Sequence, residues 1–226
     1  MTPHVLDRPA LAALQSRHRH HAEALGRALR YDPDVAPFVS APGDDAEALA
    51  DIGRLVPEDR FAIMLQVEES PLPPGTVAEM RVDGVQMVAE NLAPPAGDIA
   101  FVELTEADVP AMVALAALTR PGPFLTKTHR FGGYIGIKLD GRLAAMAGKR
   151  FQVPGFAEVS AVCTHPDARG RGYAGFLTAT VAARIAARGE TPFLHTFAQN
   201  TGAIRLYEKL GFVLRTGVKV LVLRRA

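Results

Sequence analysis

One cysteine, Cys163, and no tryptophan occur in the 226 residues. A single thiol cannot close an internal disulfide, which fits a reducing compartment. No apolar run approaches the ~18 residues that a membrane span needs. Asp7, Arg8 and the Arg17–His21 stretch interrupt any signal-like apolar core near the N-terminus. These absences predict a cytoplasmic, soluble protein. Lysine is missing from residues 1–97, which carry 8 Arg against 15 Asp and Glu, a net of −7. Residues 98–226 carry 17 Lys and Arg against 9 acids, a net of +8. A basic half suits an anionic ligand or nucleic acid. No recognised nucleic-acid module accompanies it, so a small anionic ligand is preferred.

Two domains are expected, an acidic α/β segment over 1–97 and a second over 98–226, parted by Pro94-Pro95. In the first, spacing predicts helices over Leu11–Leu29 and Asp45–Leu55 and a strand over Phe61–Val67. Val77–Arg81 and Val85–Ala89 read as a hairpin about Asp83-Gly84. In the second, Ile99–Leu104 reads as a strand and Thr105 with Asp108 as a helix cap. Val109, Met112, Val113 and Ala116 form an apolar stripe that Pro121 ends. Gly133–Leu139 and Leu143–Arg150 form a hairpin across Asp140-Gly141, followed by a strand over Glu158–Thr164. A helix stopping at Gly189, a strand over Phe193–Phe197, a helix over Asn200–Leu210 and two final strands complete the pattern.

The richest stretch runs from Cys163 to Gly175, where a glycine-rich turn joins a strand to a helix. Such a turn gathers unpaired backbone N–H groups at the positive end of the helix dipole, a site for phosphate. Gly170-Arg171-Gly172-Tyr173-Ala174-Gly175 matches the dinucleotide pattern G-x-G-x-x-G. The context opposes that ligand. His165–Arg169 separates strand from glycines, and the acidic ribose partner expected about 20 residues on is absent from the end of the next strand.

Read as Arg169-x-x-Gly172-x-Ala174, the same residues resemble the pyrophosphate loop of the GNAT family of acyl-CoA-dependent N-acyltransferases. A second block, with Asn200, Ala203, Tyr207, Gly211 and Phe212 spaced as N-x-x-A-x-x-x-Y-x-x-x-G-F, is similar to the family's C-terminal helix and following strand. Gly141–Phe212 looks most like the FR47-like branch. The resemblance covers roughly 98–226 and implies the mixed α/β acyltransferase fold, with 1–97 as an extension that would suit a reduced, motif-free copy of it. It further implies acetyl-CoA or another acyl-CoA as co-substrate, a primary amine as acceptor, and no metal, nucleic acid or membrane as partner. A second class, a non-catalytic acyl-CoA-binding module, predicts the same cofactor contacts without turnover.

The resemblance also carries roles to residues. Arg169, Gly170, Arg171, Gly172, Tyr173, Ala174 and Gly175 would hold the pyrophosphate. Backbone groups of Val162, Cys163 and Thr164 would pair with the pantetheine arm, the amide near Val162 polarising the thioester. Tyr207 would protonate the departing thiolate, and Asn200 would touch the cofactor or cap its helix. Two residues compete as base. Glu158 shares strand parity with Ser160, Val162 and Thr164, and His195 lies on the next strand with a pKa range suited to neutral pH. Cys163, of opposite parity, reads as a packing residue rather than a nucleophile. His18, His20 and His21 read as a solvated helix face, and His129 and Arg130 as an exposed loop beside the acceptor pocket.

Overall fold

Alternation of apolar and polar residues, broken by glycine and proline turns, produces mostly strands. The computed structural model describes residues 4–226. In chain order the elements are α1 (Pro9–Gln15), β1 (Ala22–Leu25), β2 (Ala28–Tyr31), β3 (Val39–Ser40), α2 (Ala46–Leu55), β4 (Ala62–Gln66) and β5 (Thr76–Ala89). Then follow β6 (Val102–Glu103), α3 (Val109–Thr119), β7 (Ile135–Leu139), β8 (Arg142–Val153), β9 (Phe156–Thr164), α4 (Tyr173–Ala186), β10 (Thr191–Phe197), α5 (Thr201–Lys209) and β11 (Phe212–Arg225). No helix among the described residues is long and apolar enough to cross a membrane.

β1–β3 form a small sheet, while the other eight strands form one mixed sheet ordered β4-β11-β5-β10-β9-β8-β7-β6. The boundary expected at residue 97 falls inside this sheet. β5, from the acidic segment, lies between β10 and β11. One apolar cluster likewise joins Leu6, Leu14, Tyr31 and Phe38 to Met112, Phe151 and Cys163. That cluster holds α1 and α3 on one face of the sheet. A second holds α4 and α5 on the other, through Leu177, Val181 and Tyr207.

Several expectations hold in detail. The helix expected over Asp45–Leu55 is α2, which Asp45 caps by accepting from the Ala48 amide, and Thr105 with Asp108 forms the expected capping box. Asp140 and Gly141, both at positive φ, turn β7 into β8. Others are corrected. The helix expected over Leu11–Leu29 stops at Gln15, where Ser16 leaves helical geometry at φ −126, and Gly26 at φ +55 then turns the β1–β2 hairpin. The hairpin expected about Asp83-Gly84 is one continuous strand, β5. Gly84 serves close packing there: a Cβ would meet Val218 at 3.0 Å and the Thr196 carbonyl at 3.1 Å. The two final strands are a single strand, β11, bulged at Arg215. The segment 117–131 adds only a short 3-10 turn at Thr128–Phe131 after α3 ends.

His18 is not on a solvated face. It is 3% exposed, stacks on Phe131 and donates from Nδ1 to the Tyr31 hydroxyl at 2.9 Å. Gln152 donates to its Nε2 at 3.2 Å. Burial first, and then the neighbouring His21, His20, Lys149 and Arg17, lower its pKa to about 3. The unfolded chain therefore takes up a proton near pH 6.5 that the native protein refuses. Stability is expected to fall as pH drops from 6.5 toward 3. His18→Gln should remove up to one proton from that slope, or about 1.4 kcal/mol per pH unit at most, in urea titrations. An unchanged slope would show that His18 titrates alike in both states.

Candidate active site

β9 and β10 run parallel, yet they pair only over Thr191↔Phe156, Pro192↔Ala157 and Phe193↔Glu158. Beyond that point β9 stays with β8 and β10 with β5, so the two strands part and the sheet opens. A cleft of about 720 Å³ passes through the opening. Val159 to Val162, His195 to Phe197, Asn200 and Tyr207 line it near the parting strands. Phe38, Ile63, Val218 and Val222 line it from the opposite face of the sheet.

The apex of the opening is polar and buried. Glu158, fully buried, receives Arg150 Nε at 2.7 Å and Nη2 at 2.5 Å, the Phe151 amide at 3.2 Å and His195 Nδ1 at 2.7 Å. A bulge permits this, since Arg150 and Phe151 of β8 together face the single residue Glu158. Arg150 also lies over the rings of Phe38 and Phe151, at 5.0 and 4.7 Å. Burial alone would raise the Glu158 pKa, but Arg150 and then His195 hold it at about 2. Burial, helped by Arg150 and Arg215, lowers the His195 pKa against the opposing pull of Glu158.

From His195 the network continues across the sheet. Gln86 of β5, fully buried, donates to His195 Nε2 at 2.9 Å and to the Leu6 carbonyl at 2.9 Å. The Gln86 carbonyl accepts from Arg215 at 2.7 Å, and Arg215 pairs with Asp7 at 2.6 Å. Arg215 is the bulged residue of β11. The sequence reading missed Arg150, Gln86, Arg215 and Asp7. For Arg150, Gln86 and Arg215 the available signal was a polar residue set among apolar neighbours on a strand, whereas Asp7, in the turn before α1, carried none.

A second bulge shapes the cleft wall. Ala161 and Val162 of β9 face Ala147 alone, and Ala161 takes φ +54, a left-handed value unusual for alanine. This bulge overturns the parity expected along β9. Cys163 falls on the same face as Glu158, packed in the core among Met112 and Leu115, while Val162 turns to the α4 face. Burial raises the Cys163 pKa to about 11, the thiol of a packing residue. Thr164 is half-buried, and its hydroxyl oxygen has no protein partner among the described residues.

The glycine-rich turn sits at the start of α4. Gly170 and Gly172 both take φ +77, and a Cβ on either would meet nothing within 4 Å. They are needed for backbone shape, and the space above them is open. Gly172 caps α4 without any side-chain bond. None of the six amides from Gly170 to Gly175 has an acceptor within the described residues. Arg169, Gly170, Arg171 and Gly172 are exposed, and Tyr173, Ala174 and Gly175 are half-buried. A row of free amides at the positive end of a 14-residue helix fits a pyrophosphate. Gly175 lets α4 approach α5, since a Cβ would lie 3.2 Å from Leu206.

Tyr207 on α5 reaches the cleft with 8% exposure, and burial raises its pKa to about 12, so its hydroxyl stays protonated. Asn200 accepts from the Ala203 amide at 3.2 Å as the α5 cap and also lines the cleft. Gly211 lets the chain leave α5 against Asn91, whose carbonyl oxygen would lie 1.9 Å from a Cβ. His129 and Arg130 do not line the cleft, and His129 contacts the Thr126 carbonyl.

Comparison with known proteins gives the frame for this geometry. The family model described as FR47-like protein matches residues 134–220. A GNAT-family protein from Novosphingobium aromaticivorans is 41% identical, covering 99% of this chain and 100% of that one, with a TM-score of 0.92. A GCN5-related N-acetyltransferase from Kribbella flavida, 22% identical over 98% of this chain and 95% of its own, shares the fold with a TM-score of 0.66. No curated protein gives a significant match. On its full-length likeness to the Novosphingobium protein, the chain belongs to the GNAT family, whose members are acyl-CoA-dependent N-acyltransferases.

Proposed function

We propose that the protein transfers an acyl group, acetyl being the favoured one, from coenzyme A to a primary amine by direct attack in a ternary complex. The observation that carries this reading is the row of unpartnered amides from Gly170 to Gly175, found together with a cleft that opens through the parted strands and holds a protonated tyrosine. Those amides would take the pyrophosphate, with Arg169 and Arg171 nearby in solvent. The pantetheine arm would enter between β9 and β10, where the strands leave each other's edges unpaired. The bulge at Ala161-Val162 turns backbone groups away from the β8 ladder, available to pair with that arm and to polarise the acyl carbonyl.

In the transfer, the amine nitrogen bonds to the acyl carbon, the carbon–sulfur bond breaks, and the sulfur leaves with a proton. Tyr207 is the proposed donor of that proton, since its raised pKa keeps the hydroxyl intact at neutral pH. Of the two candidate bases, His195 lines the cleft and Glu158 does not. We assign Glu158 to positioning: its carboxylate holds the Nδ1–H tautomer and leaves Nε2 as the basic atom. The Gln86 amide now occupies Nε2, so proton uptake requires that contact to open or to pass through water.

Tyr207→Phe is expected to lower kcat about 100-fold while leaving acetyl-CoA affinity within about twofold, measured by thiol release and calorimetry. Equal loss of affinity would reduce Tyr207 to a packing role. Gly172→Glu, which sets a negative side chain into the phosphate space, should abolish acetyl-CoA binding in a chain that still folds. Retained binding would sink the loop assignment. Glu158→Gln strands the buried Arg150 charge and should cost about 3–5 kcal/mol of stability at pH 7. Because the native pKa is depressed to about 2, the difference from the wild type should shrink as pH falls below 4.5. A variant of wild-type stability at pH 7 would show that the pair does not anchor the fold.

A further inference from the structure

Charge within the cleft does not cancel. Its lining contains three arginines, Arg120, Arg150 and Arg224, and one carboxylate, Glu79. Arg224 donates to Glu79 at 2.7 Å, and Arg150 is bound to Glu158 behind the wall. Arg120 has neither an acidic partner nor a side-chain hydrogen bond among the described residues, and it is exposed. One guanidinium in the cleft is therefore left to meet an anion.

The backbone beneath Arg120 is unusual. Arg120 caps α3 at φ +50 and ψ +54, the left-handed shape that a helix end normally gives to glycine. Pro121-Gly122-Pro123 follows directly, and Pro121 and Pro123 restrict the chain further. An arginine in this position is strained and held at the rim. The pyrophosphate does not explain it. The amide row lies at the start of α4, on the opposite face of the sheet from α3, and a pantetheine arm carries no charge.

Much of the wall of the same cleft is apolar. Phe38, Phe61, Ile63, Val218, Val220 and Val222 line it, supplied by β4, β11 and the segment before them. The one carboxylate of the lining, Glu79, is already paired with Arg224, so a polyamine would meet no free acid, whereas an apolar body would displace water from the wall.

We propose that the acceptor is a small primary amine bearing a carboxylate on an apolar body, as an apolar α-amino acid does. Arg120 takes the carboxylate in a two-pronged contact, and the apolar wall takes the body. The assignment rests on the acyl-transfer reading above. The amine nitrogen forms its bond to the acyl carbon as the carbon–sulfur bond breaks. Coenzyme A leaves as the thiol, the surplus amine proton passes to the base or solvent, and the product is an N-acyl amino acid.

Product binding tests this without turnover. The full chain is titrated calorimetrically with N-acetyl-L-phenylalanine, with its neutral counterpart N-acetylphenethylamine, and with coenzyme A. The same titrations are made on Arg120→Gln and on Arg120→Gly, the second of which relieves the left-handed strain. The acid is expected to bind about tenfold tighter than the neutral compound, with the preference falling to near unity in both variants and coenzyme A affinity unchanged. Equal affinities in the wild type, a preference that survives both variants, or binding of neither compound would overturn the proposal. A matching loss of coenzyme A affinity would overturn it too, by assigning Arg120 to the cofactor. Coenzyme A failing to bind while the acid preference persists would count against acyl transfer and leave the anion site standing.

Discussion

Two parallel strands that pair for three residues and then separate create the cavity on which everything else depends, and a buried carboxylate holds the point of separation. Glu158 occupies the last paired position of β9 and is bound from both flanks, by Arg150 of β8 and His195 of β10. Removing a carboxylate from water costs several kcal/mol unless its oxygens are fully bonded. Here both oxygens are, by two guanidinium contacts, one backbone amide and one imidazole. The arrangement fixes β8, β9 and β10 where a continued ladder would otherwise close the sheet. The same chain of contacts runs on through Gln86 and Arg215 to Asp7, tying the N-terminal segment to the apex.

Irregular backbone recurs wherever the cleft needs a polar group. The bulge at Arg150-Phe151 turns a backbone amide toward Glu158, and the bulge at Ala161-Val162 turns ladder groups toward the opening. The bulge at Arg215 frees that side chain for Gln86 and Asp7. Regular strands would bury these groups in ordinary pairing. The acidic segment contributes in two ways, through β5, which supplies Gln86, and through Phe38 and β4, which supply the apolar wall. The cleft is thus a joint product of both halves of the sequence.

Local signals in the chain read well where the structure is local. The Asp140-Gly141 turn, the Thr105–Asp108 capping box, the glycine turn before α4 and the Asn200 cap follow from neighbouring residues and are present as expected. Signals failed where long-range pairing overrides them. Asp83-Gly84 has the composition of a turn, yet Gly84 is spent on close contact between three strands. His18 looks solvated beside Arg17 and Arg19, yet it is stacked against Phe131, more than a hundred residues away. Parity along β9 could not be counted through a bulge that composition does not announce, which moved Cys163 to the face of Glu158. Arg150 and Gln86 carried a readable hint as polar residues in apolar strands, but their partners lie on strands whose order only the fold determines.

Free amides at the start of α4 and the parted edges of β9 would, on the proposed function, form one acyl-CoA site. Amide hydrogen exchange with and without acetyl-CoA tests it most directly. Residues 170–175 have no internal acceptors and should exchange quickly in the free protein. Acetyl-CoA should slow them together with 160–164, while α2 and β1–β3 remain unchanged. Protection confined to other regions, or none at saturating acetyl-CoA, would mean that these two elements do not form an acyl-CoA site.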